Sequence, residues 1–160
     1  MADNKSKTRA RVAARELAMR LVFALFENPV DPDILLGDQF DDAFYASLAE
    51  EDELYADVPP SEREYVARVT RGVYEHGAEL DGYIEKYAAN WEFSRISRTA
   101  AAVMRVAMFE VLYMRDEVPP RAAINAAINI AKKYDEADTV AFVNGVLGAY
   151  SRSELPEALQ

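Results

Sequence analysis

The sequence predicts an all-α fold of about six to seven helices, and three observations support this prediction. Apolar residues recur at helical spacing, i, i+3, i+4 and i+7, along nearly the whole chain. Alternating apolar and polar runs, which would indicate β-strands, are nearly absent. Prolines and glycines stand between the periodic stretches, where helices start and stop. With 160 residues, the chain is long enough to bury a sizeable core as one domain.

The first predicted helix covers residues 8–28 and stops before Pro29. Its apolar spacing is regular, and proline is poorly tolerated inside a helix. A loop containing Pro32 and Gly37 is expected next. A weaker, acidic helix over residues 38–54 follows this loop.

The stretch "VPPSERE" predicts a strong helix start. Ser61 is expected to act as N-cap, and Glu64 three residues later completes a capping box. The helix that begins here is predicted to reach Tyr74. A further helix is expected to resume after Gly77 and to reach Asn90.

The last three predicted helices form a bundle. They cover residues 97–115, a stretch that begins near Pro119, and residues 139–151, with Asp138 as the N-cap of the last one. Each carries an apolar stripe at helical spacing. The stripes are Met104, Ala107, Met108, Val111 and Leu112; Ile124, Ala127, Ile128 and Ala131; and Val143, Val146, Leu147 and Tyr150. Helix 97–115 is also apolar on its other sides, which predicts that it is central.

The first helix carries two apolar stripes on nearly opposite sides. One consists of Leu17, Ala18, Leu21 and Leu25, and the other of Met19, Phe23 and Phe26. One interpretation is a helix packed between two parts of its own fold. The other is that the second stripe meets a protein partner or a second copy of the chain, a role for which aromatic anchors are well suited.

The closing stretch "AFVNGVLGAY" places two glycines inside a helix, at a cost of roughly 1 kcal/mol each. Ala141, Gly145 and Gly148 lie opposite the apolar stripe, and Phe142 and Asn144 lie on its flanks. Tight helix–helix packing is one explanation. The other is a smooth face beside an aromatic ring and an amide, which suits stacking on a base and hydrogen bonding to its edge.

The net charge of −10 is unevenly distributed. Residues 1–20 carry six basic against two acidic side chains, whereas residues 27–64 carry thirteen acids and a single arginine. A basic arm on an acidic protein is typical of anion-binding tails, although a solvated terminus has the same composition.

Several functional classes are disfavoured by composition. The chain has no cysteine and one histidine, His76, so a thiolate metal site, a histidine cluster or a catalytic triad is not expected. We expect no catalytic residue, no metal and no cofactor. The amino-terminal stretch lacks the apolar core of a signal peptide, and no long apolar run indicates a membrane span. A cytoplasmic location is therefore expected.

Four stretches of the chain together resemble the NusB family of bacterial transcription antitermination factors. They are "AARELAMRLVFALFE", "LDGYIEKYAANWEFSRIS", "VMRVAMFEVLY" and "VPPRAAINAAINIAKKYDEADTVAFVNGVLGAY". Their order and spacing match along residues 8–28 and 65–151, and the closing stretch with "FVNG" is the most specific. The acidic segment 30–58 is longer than the connection usual in the family.

The resemblance implies a NusB-like fold, two small three-helix bundles packed together. Within a single domain over residues 1–160 it places a flexible basic arm, an amino-terminal subdomain with an acidic insert, a carboxy-terminal subdomain and a frayed tail. These segments are residues 1–10, 8–90 with the insert at 30–58, 91–151 and 152–160. It also implies a factor that is not an enzyme. With the small-subunit ribosomal protein NusE, such a factor binds boxA-type single-stranded RNA and joins an antitermination complex on RNA polymerase.

The family's functional positions fall on specific residues of this chain. The resemblance implies RNA contacts by Arg9, Arg11 and Arg15 in the arm, by Phe142 and Asn144 in "FVNG", and by Tyr87 as a further aromatic. It places the aromatic that faces NusE on Phe23, and Met19 and Phe26 of the same stripe complete the expected partner-binding set.

Two alternatives remain open at the level of sequence. The chain can be a homodimeric or adapter module in which the second stripe of the first helix is closed by another protein surface. It can also be a stand-alone relative of the NusB-like domain that precedes certain RNA methyltransferases. Against an enzymatic role, the chain contains no glycine-rich nucleotide-binding loop and no cysteine nucleophile.

Overall fold

The computed structural model describes residues 2–89, 91 and 95–156, with side chains from residue 4 onward. Within these residues every regular element is helical, which confirms the all-α prediction. The elements are α1 (Ala2–Glu27), α2 (Pro32–Gln39), α3 (Asp42–Glu51), α4 (Glu53–Asp57), a 3₁₀ turn (Pro60–Glu62), α5 (Arg63–Glu75), α6 (Gly77–Tyr87), α7 (Arg98–Tyr113), α8 (Pro120–Tyr134) and α9 (Ala137–Glu154).

The chain forms two compact units, residues 1–74 and residues 75–160. The boundary expected from the sequence lay at residue 90, so α6 joins the second unit and not the first. The physical reason is that α6 buries Leu80 and Ile84 and contacts α7 and α9. Its Asp81 also accepts two hydrogen bonds from the Arg105 guanidinium of α7, at 2.6 and 3.1 Å.

The first unit is built around α1, which contacts α4 and the 3₁₀ turn. The predicted stripe Leu17, Ala18, Leu21 and Leu25 is buried, as its helical spacing requires. Helix α1 also extends further than expected. Residues 2–10, predicted to form a flexible arm, are its first turns, and the side chains of residues 4–9 are exposed.

The acidic insert contains three short helices where the sequence predicted a loop and one helix. Each is started by an aspartate side chain that accepts a backbone N–H: Asp31 from Asp33, Asp41 from Phe44 and Asp52 from Leu54. Pro32, predicted to lie in a loop, occupies the first turn of α2, where its fixed φ and missing N–H are tolerated.

Three ion pairs hold the insert to the rest of the first unit. Asp33 pairs with Arg71 at 2.7 Å, Asp42 with Arg63 at 2.9 Å and Asp52 with Arg20 at 2.8 Å. The acids of the insert thus bind arginines of α1 and α5 and are not all directed at solvent.

The second unit has α7 at its centre, as predicted. Residues 100–111 of this helix are all buried, and α7 contacts α6, α8 and α9. A helix that is apolar on every side is stable only when it is surrounded in this way.

Two predicted caps are not formed. Helix α9 begins at Ala137 after Glu136, so Asp138 lies in its first turn, where a carboxylate still favours the positive end of the helix. The 3₁₀ turn that precedes α5 has Pro59 as its N-cap, and no side chain caps it. Two prolines and this turn therefore replace the predicted capping box of Ser61 and Glu64.

The end of α9 also differs from expectation. The tail was predicted to fray from residue 152, but α9 continues to Glu154 and Leu155 is buried. Residues 157–160 of the predicted tail lie outside the described residues. Among the helices described here, none combines the length and apolar character needed to cross a lipid bilayer.

Candidate nucleic-acid interface

The outer face of α9 carries the residues that the sequence singled out. The stripe Val143, Val146, Leu147 and Tyr150 is buried, which confirms the predicted inner face. Ala141, Asn144 and Gly145 are exposed, and Phe142 is half-buried. Because successive residues are about 100° apart around a helix, Asn144, Ala141, Gly145 and Phe142 span an arc of roughly 160° on the solvent side.

The two glycines of α9 have different surroundings. A Cβ atom on Gly145 would meet no described atom within 4 Å, so this position faces open space and is not used for helix packing. A Cβ on Gly148 would lie 3.2 Å from the Arg152 guanidinium, whose side chain covers that part of the helix. The smooth part of the face is therefore centred on Gly145.

An aromatic pair borders this face on one side. The ring of Phe142 lies against that of Trp91, with centroids 5.2 Å apart and planes inclined by 55°. Trp91 is 56% exposed, which is unusual for so large an apolar side chain. The sequence had not assigned Trp91 to the site, although this residue lies within "LDGYIEKYAANWEFSRIS", one of the stretches that carry the family resemblance.

A groove of about 570 Å³ borders the face on the other side, between α8 and the start of α9. Its lining consists of Ile128, Lys132, Asp135, Ala137, Val140, Ala141 and Asn144. Asn144 thus stands where the groove meets the open face. Lys132 brings a positive charge to the groove, and Asp135 brings a negative one.

Tyr87 is engaged within the second unit. Its hydroxyl donates a hydrogen bond to the Glu154 carboxylate, and the Lys86 ammonium pairs with the same group at 2.8 Å. The hydrogen bond from Lys86, followed by that from Tyr87, lowers the pKa of Glu154. The Tyr87 ring also meets Tyr150 edge to face, with centroids 6.0 Å apart. The Tyr87 hydroxyl therefore links the end of α6 to the end of α9.

The basic side chains of α1 divide into an exposed and a packed group. Lys5, Lys7 and Arg9 are exposed on the first turns. The Arg11 guanidinium lies 4.0 Å from the centre of the Tyr65 ring, and its Nε donates to the Glu62 carboxylate at 2.7 Å. This combination of cation–π contact and ion pair fixes Arg11 against the protein surface.

Arg15 lies on the same tyrosine. Its guanidinium is 5.7 Å from the Tyr65 ring centre, and the residue is only 7% exposed. The structure therefore brings Arg11 and Arg15 together on one aromatic ring. Arg9 remains the exposed arginine of the predicted set.

The second stripe of α1 is partly accessible. Met19 is 2% exposed, so its side chain belongs to the interior and is not at the surface. Phe23 and Phe26 are half-buried, and Phe26 meets Tyr74 of α5 edge to face at 6.0 Å. The accessible part of the expected partner-binding set consists of the two phenylalanines.

Comparison with known families and proteins gives a consistent result. Residues 12–152 match the model of the NusB family. The transcription antitermination protein NusB of Ruminiclostridium cellulolyticum is 37% identical over 147 residues, which cover 92% of each chain. The protein of the same name from Roseiflexus castenholzii is 34% identical over 139 residues, covering 86% of this chain and 89% of that relative.

Solved structures share the fold. T. maritima NusB superposes with a TM-score of 0.69 at 26% identity, over 92% of this chain and 94% of that one. A crystal structure of the antitermination factors NusB and NusE in complex with dsRNA also gives a TM-score of 0.69, at 22% identity, over 91% of this chain and 98% of that one. At 22% identity, the similarity to this second structure shows a shared fold only.

Proposed function

Because this chain belongs to the NusB family of transcription antitermination proteins, we propose that it binds boxA-type single-stranded RNA in nascent ribosomal transcripts together with NusE. The family is one of transcription factors and not of enzymes. The proposal assigns base recognition to the outer face of α9 and phosphate attraction to the start of α1.

The exposed face of α9 carries this proposal. Phe142 offers an aromatic surface, Asn144 offers an amide that can both donate and accept, and Gly145 leaves open space between them. Stacking of a base on an aromatic ring contributes about 1–3 kcal/mol and tolerates any base. The amide adds sequence preference by bonding to base edges, which only unpaired nucleotides present fully.

The first turns of α1 supply the phosphate contacts in this proposal. Lys5, Lys7 and Arg9 are exposed, and the Arg11 guanidinium lies over the Tyr65 ring. Cationic side chains displace counterions from the phosphates, so this contribution falls as salt rises. Arg15, at 7% exposure, supports this surface by packing on Tyr65.

A basic partner is required because the chain itself is strongly acidic. Its net charge is −10, and residues 27–64 alone carry thirteen acids against one arginine, so this charge opposes RNA binding. A ribosomal protein such as NusE supplies positive surface that completes the site. Phe23 and Phe26 provide the anchors for this partner, and Met19 supports them from the interior.

Affinity for RNA with and without NusE tests the proposal. We expect weak binding of a boxA-type single strand by this chain alone and tighter binding by the two proteins together than by either one. The measurement is fluorescence anisotropy of labelled RNA, with the same RNA annealed to its complement as a second substrate. Equal affinities with and without NusE, or preference for the duplex, would contradict the proposal.

The partner surface is tested separately by Phe23→Glu. We expect this variant to lose the gain that NusE provides while binding RNA alone as the wild type does. Phe44→Glu is the matched control, because Phe44 is an exposed phenylalanine of α3 in the same unit. Helical circular dichroism confirms that both variants are folded. If NusE still raises the affinity of Phe23→Glu, the second stripe of α1 is not the partner surface.

A further inference from the structure

Trp91 is exposed without a structural reason that the described residues reveal. More than half of its surface faces solvent, and its one described ring contact is with Phe142. A tryptophan that served only to fill the interior would be buried, since burying an aromatic side chain stabilises the folded state. An exposed indole next to a functional surface is instead available for a ligand.

The position of Trp91 extends the face of α9. The order around the helix is the groove with Lys132, then Asn144, Ala141 and Gly145, and finally Phe142 with Trp91 beyond it. One end of this track carries the Lys132 ammonium beside the Asp135 carboxylate, and the other end carries two aromatic rings. The middle has no side chain larger than a methyl group at Ala141 and Gly145, so a ligand backbone can approach closely there.

The order of these surfaces along the track matches the chemistry of an unpaired nucleic-acid strand. Aromatic rings accept the faces of bases, an amide reads their edges, and a lysine attracts phosphate. An amphipathic helix docked along this track would need apolar anchors at several positions, whereas aromatic rings stand at only one end of it. The rings of Trp91 and Phe142, inclined by 55°, suit two bases splayed apart rather than one continuous stack.

We propose that Trp91 is an RNA-binding residue of this chain and forms, with Phe142, a stacking surface for unpaired bases. This inference rests on the proposed function and adds a base-stacking residue to it. It also predicts the direction in which the strand continues, from the aromatic pair across Gly145 toward Lys132.

The experiment uses the intrinsic fluorescence of Trp91, which is the only tryptophan of the chain. The full chain with tryptophan-free NusE is titrated with single-stranded boxA-type RNA and with an abasic strand of the same length. We expect the RNA to quench the emission, because a stacked base is in van der Waals contact with the indole. We expect the abasic strand, which offers phosphates alone, to leave the emission nearly unchanged.

Variants give a second readout, the affinity for labelled RNA. We expect Trp91→Leu to weaken binding about tenfold, which corresponds to the stacking of one base. Trp91→Phe keeps an aromatic ring and should retain most of the affinity. Phe44→Leu is the control, because it removes an exposed aromatic ring from α3 and should bind as the wild type does.

The outcomes separate this inference from the proposed function. If the two proteins bind RNA but the emission is unchanged and Trp91→Leu binds normally, the stacking role is overturned and the proposed function stands. If the wild type with NusE binds no RNA, the proposed function itself fails. If Trp91→Leu loses helicity, the affinity of Trp91→Phe and the quenching titration still test the stacking role of Trp91.

Discussion

At the scale of single residues, Arg11, for which we propose a phosphate contact, is held in place by two neighbours in the first unit. Its guanidinium is paired with Glu62 and lies on Tyr65, so its position is fixed before RNA arrives. The Glu62 carboxylate accepts a hydrogen bond from Nε of this guanidinium and thereby offsets part of its charge. A phosphate that contacts Arg11 would compete with Glu62 for this charge.

Glu62→Gln is expected to raise the affinity for single-stranded RNA. Removing the competing charge leaves Arg11 on Tyr65 but releases it from its ion pair. Pairs of this kind contribute up to about 1 kcal/mol, so we expect a gain of about two- to fivefold. Glu64→Gln is the matched control, because it removes the same charge from an exposed position two residues away. An equal gain in both variants would indicate a general charge effect instead of competition at Arg11.

The residue contacts were the part that the sequence predicted least. Arg11 and Glu62 are 51 residues apart, and no periodicity pairs them. The sequence could not show whether Met19 is buried or exposed, because a second apolar stripe fits both an interior and a partner surface. Trp91 lies outside every predicted helix, so only the structure brings it beside Phe142.

At the scale of elements, α9 combines a buried face for packing with an exposed face that we propose for RNA contact. Its inner stripe is apolar and buried, whereas the outer face carries small residues and Asn144. Glycine at position 145 lowers helix stability and fills no close packing site, so packing does not explain it. The ligand contact that we propose for this face would explain it, because glycine lets a ligand approach the backbone closely.

Gly145→Ala is expected to stabilise the protein while weakening RNA binding. The new methyl group meets no described atom, so the fold gains about 0.5–1 kcal/mol of helix propensity. The same methyl group obstructs the open face, and Gly145→Leu should obstruct it further. Stability is measured by urea denaturation and affinity by anisotropy.

Gly82 provides the control for this prediction. It lies inside α6, and a Cβ at this position would likewise meet no described atom within 4 Å. Gly82→Ala should therefore give a similar gain in stability without loss of RNA binding. Wild-type affinity in Gly145→Leu would show that the ligand does not approach α9 closely.

Helices with a long and clear period were predicted well, and the insert was not. Helices α7, α8 and α9 lie within a few residues of their predicted ranges because their apolar stripes face a real core. The insert has no such stripe. Its three helices begin at aspartate caps, form ion pairs with arginines of α1 and α5, and bury a few scattered apolar side chains. These contacts are invisible in a local pattern.

At the scale of the whole molecule, a strongly acidic chain is proposed to bind a polyanion. Two effects reduce this electrostatic repulsion. Part of the insert's charge is neutralised locally by the ion pairs to arginines. The remaining repulsion is screened beyond about 10 Å at 0.1 M salt, so contacts made by exposed cations at the start of α1 can dominate.

The salt dependence of RNA binding decides which of these charges controls affinity. If local phosphate contacts dominate, affinity falls as salt rises, by about 0.7 in the logarithmic slope for each contacted phosphate of a single strand. Contacts by Lys5, Lys7, Arg9, Arg11 and Lys132 would give a slope of about −3.5, and Arg9→Ala with Arg11→Ala should reduce its magnitude by about 1.4. If the net charge of −10 dominates instead, affinity rises with salt, and the sign of the slope alone rejects the proposed role of α1.

Arg68→Ala with Arg121→Ala is the matched control for this prediction. It removes the same two charges from exposed positions on α5 and α8 and should leave the slope unchanged. An equal change in both double variants would assign the effect to overall charge and not to contacts at α1.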